Sequence, residues 1–181
     1  MIAKATLLAV GLALVPGLAA AETVDFVRLW PAEVQGLKRQ NAEALPDKPL
    51  TYAAYGTEGD GAKVVARLYG WPLESPKPVL DFDGDDMRRS VQNMAEAIEA
   101  EQGKPAAPFV VTSPQGNRLN CLQSEQQSGA ALFLFCATPV KGRILEVQHV
   151  AMMRPGGTAQ TMRTGAERFM TGLADALIAA P

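Results

Sequence analysis

Four aspartates crowd into the stretch "VLDFDGDDM", where Asp81, Asp83, Asp85 and Asp86 alternate with an aromatic and a glycine behind a short apolar run. Carboxylates at this spacing suit three kinds of chemistry: a catalytic aspartate loop, a calcium loop, or the start of a helix. The other residues with chemical reach are few. His149 is the single histidine, so any nucleophile activated by an imidazole must use it. Cys121 and Cys136 are the two cysteines, and their separation is not the Cys-x-x-Cys spacing of a redox pair.

The positions around each group sort these options. A calcium loop of the helix-loop-helix type starting at Asp81 needs glycine at its sixth position and a glutamate at its twelfth. The chain has Gly84 at the fourth and Gln92 at the twelfth. A helix start accounts for more: Asp85 or Asp86 caps the helix, and the cluster faces the positive end of its dipole. A weak metal site built from Asp81, Asp83 and Asp85 is the alternative use of the same carboxylates. His149 sits in "RILEVQHVAMM" on the strand face shared by Leu145, Val147 and Ala151, the pattern of a packed core histidine; no Gly-x-Ser-x-Gly elbow accompanies it. One histidine and a bonded cysteine pair leave only carboxylates for a metal, and no cofactor is expected.

The elements that hold these residues follow from period and punctuation. Residues 25 to 47 read as a loop or a single helical turn and then a strand. "PLTYAAYG" and "AKVVARLYG" around "TEGDG" read as a hairpin. A helix from about Asp86 to Gln102 places Met87, Val91, Met94, Ala95 and Ile98 on one stripe, with Gly103 and Pro105 closing it. "PFVVTS", "NRLNCLQ", "ALFLFCAT" and "RILEVQHVAM" form an antiparallel meander, in which "ALFLF", apolar on both faces, is a covered central strand. A second helix, about Ala159 to Ala179, buries Met162, Ala166, Phe169, Leu173 and Leu177. The fold class expected from this order is α+β, an antiparallel sheet of about five or six strands with two amphipathic helices packed on it. Trp30, Tyr52, Tyr55, Tyr69 and Trp71 gather in the N-terminal half and read as core or core rim, with an aromatic binding surface as the functional alternative.

The chain opens "MIAKATLLAVGLALVPGLAAAETVDF": Lys4, an apolar run from Ala5 to Val15 too short to span a bilayer, then Pro16, Gly17 and small residues. A cleaved secretory signal over residues 1–21 is expected, leaving 22–181 as a single domain in the periplasm or secreted. Of 17 basic and 19 acidic residues, removal of Lys4 leaves 16 against 19, a net charge of about −3. No basic block is present to neutralise phosphates, so nucleic acid is not an expected partner, and no second apolar run spans a membrane. An oxidising compartment would join Cys121 to Cys136. A turn at Ser128-Gly129 would set the two on directly opposed strand positions, and the bond would stabilise the fold by about 3 kcal/mol.

Two resemblances bear on function. "VLDFDGDD" resembles the first motif of haloacid-dehalogenase-like phosphatases, an apolar strand followed by Asp-x-Asp-Gly, and "FVVTS" resembles their second. That likeness implies Asp81 as nucleophile and Asp83 as general acid. Such enzymes hold magnesium with a further acidic pair downstream, whereas after Asp86 the only aspartate is Asp175 and Asp85 stands where threonine is usual. The Trp-Pro near the mature N-terminus, the order of elements and the closing helix "TGAERFMTGLADAL" resemble the PsbP-like sandwich proteins, many of them secreted or lumenal and noncatalytic. The expectation is therefore a noncatalytic periplasmic or secreted protein binding a protein partner or small ligand. The alternative is a metal-dependent hydrolase using the Asp81 and Asp83 cluster.

Overall fold

The structure is a computed structural model that describes residues 25–45, 47–56, 63–73, 77–103, 105–125, 131–152 and 158–181. The expected secretory signal and the turns at "TEGDG" and Ser128-Gly129 lie outside the described residues.

Eight strands form one antiparallel sheet: β1 (Glu33–Val34), β2 (Leu37–Ala44), β3 (Leu50–Gly56), β4 (Lys63–Tyr69), β5 (Ala107–Thr112), β6 (Arg118–Glu125), β7 (Ala131–Val140) and β8 (Arg143–Met152). The order across the sheet is β1-β2-β3-β4-β8-β7-β6-β5. Two consecutive meanders thus meet at one junction, where β4 pairs with β8 from Lys63↔Val150 to Tyr69↔Ile144. The helices are α1 (Asp85–Gln102) and α2 (Ala159–Ala179). The expected α+β layout with five or six strands is corrected by this count: the sheet has eight strands and dominates the chain.

Residues 25 to 47, expected to hold one strand after a loop or helical turn, hold two, β1 and β2, and β2 shows why this segment is hard to read by period. Its register slips at a bulge between Arg39 and Asn41. A bulge inserts one residue into the two-residue repeat. Leu37 before it and Ala42 after it therefore face the same core, although one is odd and the other even. The rest of β2, "KRQN" and "EA", is exposed and polar but for Ala44, so no alternation marks it.

The helices pack on opposite faces of the sheet. On one face α2 buries Ala166, Phe169, Met170, Leu173 and Leu177 against Tyr55, Val64, Leu68, Leu134, Leu145 and Val147. On the other, α1 sets Met87, Val91, Met94 and Ile98 against Leu122, Phe135, Ala137 and Ile144. β7, whose Leu134 and Cys136 face α2 while Phe135 and Ala137 face α1, is covered on both sides, in keeping with its doubly apolar sequence, and its neighbours β6 and β8 also give residues to both cores. Gly103 ends α1 in the left-handed region at φ 70°, where it donates its N–H to Glu99 O at 2.8 Å, a conformation that costs glycine little. At the start of α2, Thr158 and Thr161 form a capping box: each hydroxyl accepts from the other residue's backbone N–H at 3.1 Å.

Cys121 and Cys136 stand opposite each other in the β6–β7 register and are disulfide-bonded, with Cα atoms 4.1 Å apart. Among the described residues no helix is long and apolar enough to cross a membrane.

Candidate functional site

The acidic stretch folds as a turn and a helix start. Asp83 N–H donates to Asp81 Oδ1 at 2.9 Å, and Gly84 N–H to Asp81 O at 3.2 Å. A Cβ on Gly84 would lie 3.1 Å from that same carbonyl oxygen. Gly84 is the N-cap of α1 and supplies no side-chain cap, which corrects the expectation that Asp85 or Asp86 caps the helix. Both sit instead in its first turn, where the helix dipole favours negative charge. Three of the carboxylates have cations among the described residues: Asp83 meets Arg118 at 3.3 Å, Asp86 meets Lys77 at 3.2 Å, and Asp85 pairs with Arg88. Among the described residues no three acidic, histidine or cysteine side chains converge as a metal-holding group.

Replacing Asp85 and Asp86 together by alanine should lower stability by about 1 kcal/mol, the dipole contribution of two first-turn carboxylates, one exposed and one half-buried. Asp85→Asn should cost less than half of that, as read from urea midpoints. A melting temperature that rises with millimolar calcium in the wild type and not in Asp81→Asn would instead mark an ion site.

His149 is placed by β8 on the face that α2 covers, opposite Val64 on β4 and Leu134 on β7. It is 5% exposed, and its ring meets Phe169 edge-on with centroids 6.3 Å apart. Burial drives its pKa down to about 4, so the imidazole is neutral at pH 7. The core reading of His149 holds, and the structure adds to it. Four buried side-chain polar atoms among the described residues have no hydrogen-bond partner: Nε1 of Trp30 and of Trp71, Oγ1 of Thr51, and Nδ1 of His149. Leaving a buried donor or acceptor unpaired costs about 1–3 kcal/mol.

His149 also lines a cleft of about 430 Å3 between the first turns of α2, the end of β8 and the β1–β2 turn. Leu37, Ala151, Ala166 and Phe169 supply its apolar walls, and Gln35, Met152, Thr161 and Met162 its rim. Gly165 lies on the cleft side of α2, and a Cβ built on it would meet nothing within 4 Å. Glycine inside a helix costs about 1 kcal/mol relative to alanine, and crowding does not account for this one. Gly172, two turns on, is different: its Cβ would touch Gln35 and Val34 at 3.4–3.5 Å, so it serves close packing of α2 on β1. A second cleft, of about 380 Å3, lies beside the N-terminal turn, where Arg143 stacks over Phe26 and Asp25 and Lys48 stand at the rim.

A third group was not legible in the sequence as a site. On the α1 face Glu146 is buried, accepting hydrogen bonds from Tyr69 Oη and, at 2.9 Å, from Ser90 Oγ, with Arg67 opposite it in the β4–β8 register. Burial raises the Glu146 pKa, opposed in decreasing order by Tyr69, Ser90 and Arg67. Its folded pKa then lies above the unfolded value of 4.5, so the folded state holds the proton more tightly, and stability falls as pH rises through the window above 4.5. Glu146→Gln keeps an acceptor oxygen and cannot ionise. It should raise stability at pH 7 and remove that decline, as measured by denaturant titrations from pH 4.5 to 8. The sequence signal is slight: one of several polar residues in β8, with its partners 56 and 77 residues away.

Of the N-terminal aromatics, Trp30, Tyr55 and Tyr69 are buried, whereas Tyr52 and Trp71 are half-buried. Tyr55 donates to Pro31 O at 3.0 Å, and Arg89 sits over the Trp71 ring at 5.8 Å. The aromatics do not form one surface: Tyr55 faces α2, while Tyr69 and Trp71 face α1. No family model matches the chain, and no curated protein and no solved structure shows a significant similarity to it.

Proposed function

We propose that this chain is an exported, noncatalytic binding protein that holds a small ligand in the His149 cleft. The observation that carries the reading is an apolar cleft walled by Phe169, Ala166 and a buried imidazole, with open space beside the mid-helix Gly165. Binding sites are typically apolar concavities with a few placed polar groups, and 430 Å3 is within their usual range. Gly165 supports the reading from the opposite wall, since it forgoes helix propensity at a place where a side chain would fill the cleft. The bonded Cys121–Cys136 pair supports export, because disulfides persist in oxidising compartments such as the periplasm. The likeness to noncatalytic PsbP-like proteins belongs to the same proposal.

An uncharged fluorophore, N-phenyl-1-naphthylamine, tests the cleft directly. Its emission should rise on binding to the wild type with saturable, micromolar affinity, and the rise should be lost in Gly165→Leu. That substitution fills open space and favours the helix, so the variant should fold at least as stably as the wild type. A Gly165→Leu protein that binds the fluorophore unchanged would place binding elsewhere and sink the reading. Magnesium-dependent turnover of a generic phosphoester, abolished by Asp81→Asn, would sink the noncatalytic part.

A further inference from the structure

Among the described residues β5 closes one end of the sheet order, and the strand itself, "APFVVT", carries no charged side chain. Ser113 N–H donates to Asn117 O at 2.8 Å, so the Ser113 backbone points inward to β6. Backbone direction alternates along an antiparallel strand, so Phe109 and Val111 also point inward, while Val110 and Thr112 turn their N–H and C=O groups outward. Pro108 shares that outward direction but has only a carbonyl to offer. Side chains alternate as well: Phe109 and Val111 pack on the α2-side core, and Val110 projects on the α1 side, 51% exposed. The other end of the sheet is guarded, since β1 is two residues long and β2 behind it is bulged and carries Lys38, Arg39 and Glu43. Of such protective devices β5 has only Pro108, and an apolar edge of this kind is a template for a further strand.

We propose that β5 pairs antiparallel with β5 of a second copy of this chain, about a two-fold axis at Val110. Charge selects the second copy: a two-fold axis sets edge residues near their own counterparts, and like charges directly opposite repel, so only an uncharged edge tolerates it. Side chains and hydrogen bonds select the register. With Val110 opposite its counterpart, Phe109 lies opposite the partner subunit's Val111 and Val111 opposite the partner subunit's Phe109, so apolar side chains meet on both faces of the strand. Val110 exchanges both N–H···O bonds with its counterpart, and Thr112 N–H donates to the carbonyl of the partner subunit's Pro108, which is never asked for a donor. The neighbouring registers set Val110 against Thr112, or against Pro108, where the donor is missing. One strand is far less than the about 20–30 residues a side of a standard interface, so the dimer is weak.

Sedimentation equilibrium of the purified protein, loaded from about 1 μM to about 1 mM, reads the association. The mean mass should climb from one copy towards two and stop there, because a two-fold pairing closes on itself. Val110→Lys should raise the dissociation constant about tenfold, through loss of the valine pair and the placing of like charges opposite each other. Val110 is exposed, so the variant keeps its core. Oxidised Val110→Cys should link into dimers on a nonreducing gel, since directly paired Cα atoms about 5.5 Å apart suit a disulfide. Thr112→Cys should not link, because its counterpart lies further along the strand. A chain that is monomeric at every loading overturns the second copy as occupant and leaves the edge to a strand of another protein. Association unmoved by Val110→Lys, or Thr112→Cys linking as readily as Val110→Cys, overturns the pairing at Val110, and growth beyond two copies overturns the two-fold closure.

Discussion

Phe169→Ala should cost about 4 kcal/mol of unfolding free energy, within the usual 3–5 kcal/mol for truncating a buried phenylalanine. Phe169 is 1% exposed, and its ring meets Tyr55 edge-on at 5.3 Å and His149 at 6.3 Å. Edge-to-face aromatic pairs contribute about 0.5–1.5 kcal/mol beyond the area they bury, so both contacts are lost together with the hydrophobic term. Phe169→Leu keeps most of the volume and should cost less than half as much. Urea unfolding monitored by circular dichroism measures both. A loss below about 2 kcal/mol for the alanine variant would mean that α2 closes down onto the sheet to fill the space, and the cleft would then shrink.

The second large effect is a response to acid. The His149 pKa is depressed by burial to about 4 in the folded protein, from 6.5 when unfolded. Between these values the unfolded state takes up the proton and the folded state does not, so stability falls as pH drops from about 6.5 to about 4. At about 1.4 kcal/mol per pH unit the full loss is about 3 kcal/mol. His149→Leu should flatten this limb. Glu146 acts in the opposite direction over the window above 4.5, so the wild-type profile is the sum of two slopes of opposite sign. The two single variants separate them: Glu146→Gln steepens the net rise of stability with pH, and His149→Leu leaves the Glu146 decline exposed.

Much of this architecture was legible in the sequence where side-chain pattern and local chemistry agree. The α1 and α2 stripes beginning at Met87 and Met162 face cores as their spacing demands, and the hairpin of β3 and β4 follows from β-branched and aromatic runs around a glycine-rich turn. The opposed placement of Cys121 and Cys136 follows from counting strand positions. The illegible parts depend on what lies across space. β1 is only two residues long, and β2 carries its inward residues out of phase across a bulge, so the single strand expected in residues 25 to 47 has no sharp bounds in the sequence and its short neighbour leaves no pattern. Gly165 is visible in the sequence as a mid-helix glycine, but its meaning depends on the emptiness beside it. Glu146 reads as one of several polar residues in β8 until Tyr69 and Ser90 are brought to it from the other half of the chain.

The single junction between β4 and β8 has a consequence for how the chain reaches this state. Within each meander every pairing is between strands adjacent in sequence, so each half can assemble through short loops at little entropic cost. The β4–β8 pairing is the one strand pairing that closes a long loop, from Tyr69 to Ile144 at its shortest. Long-range closure of this kind is the slow part of folding for sheet proteins. His149 and Glu146 both project from β8 at this seam, one to each face, and Arg67 stands across it. The two titrating groups therefore lie where the halves dock, so protonation should alter the rate at which the halves join or part, with the strands inside each meander less affected.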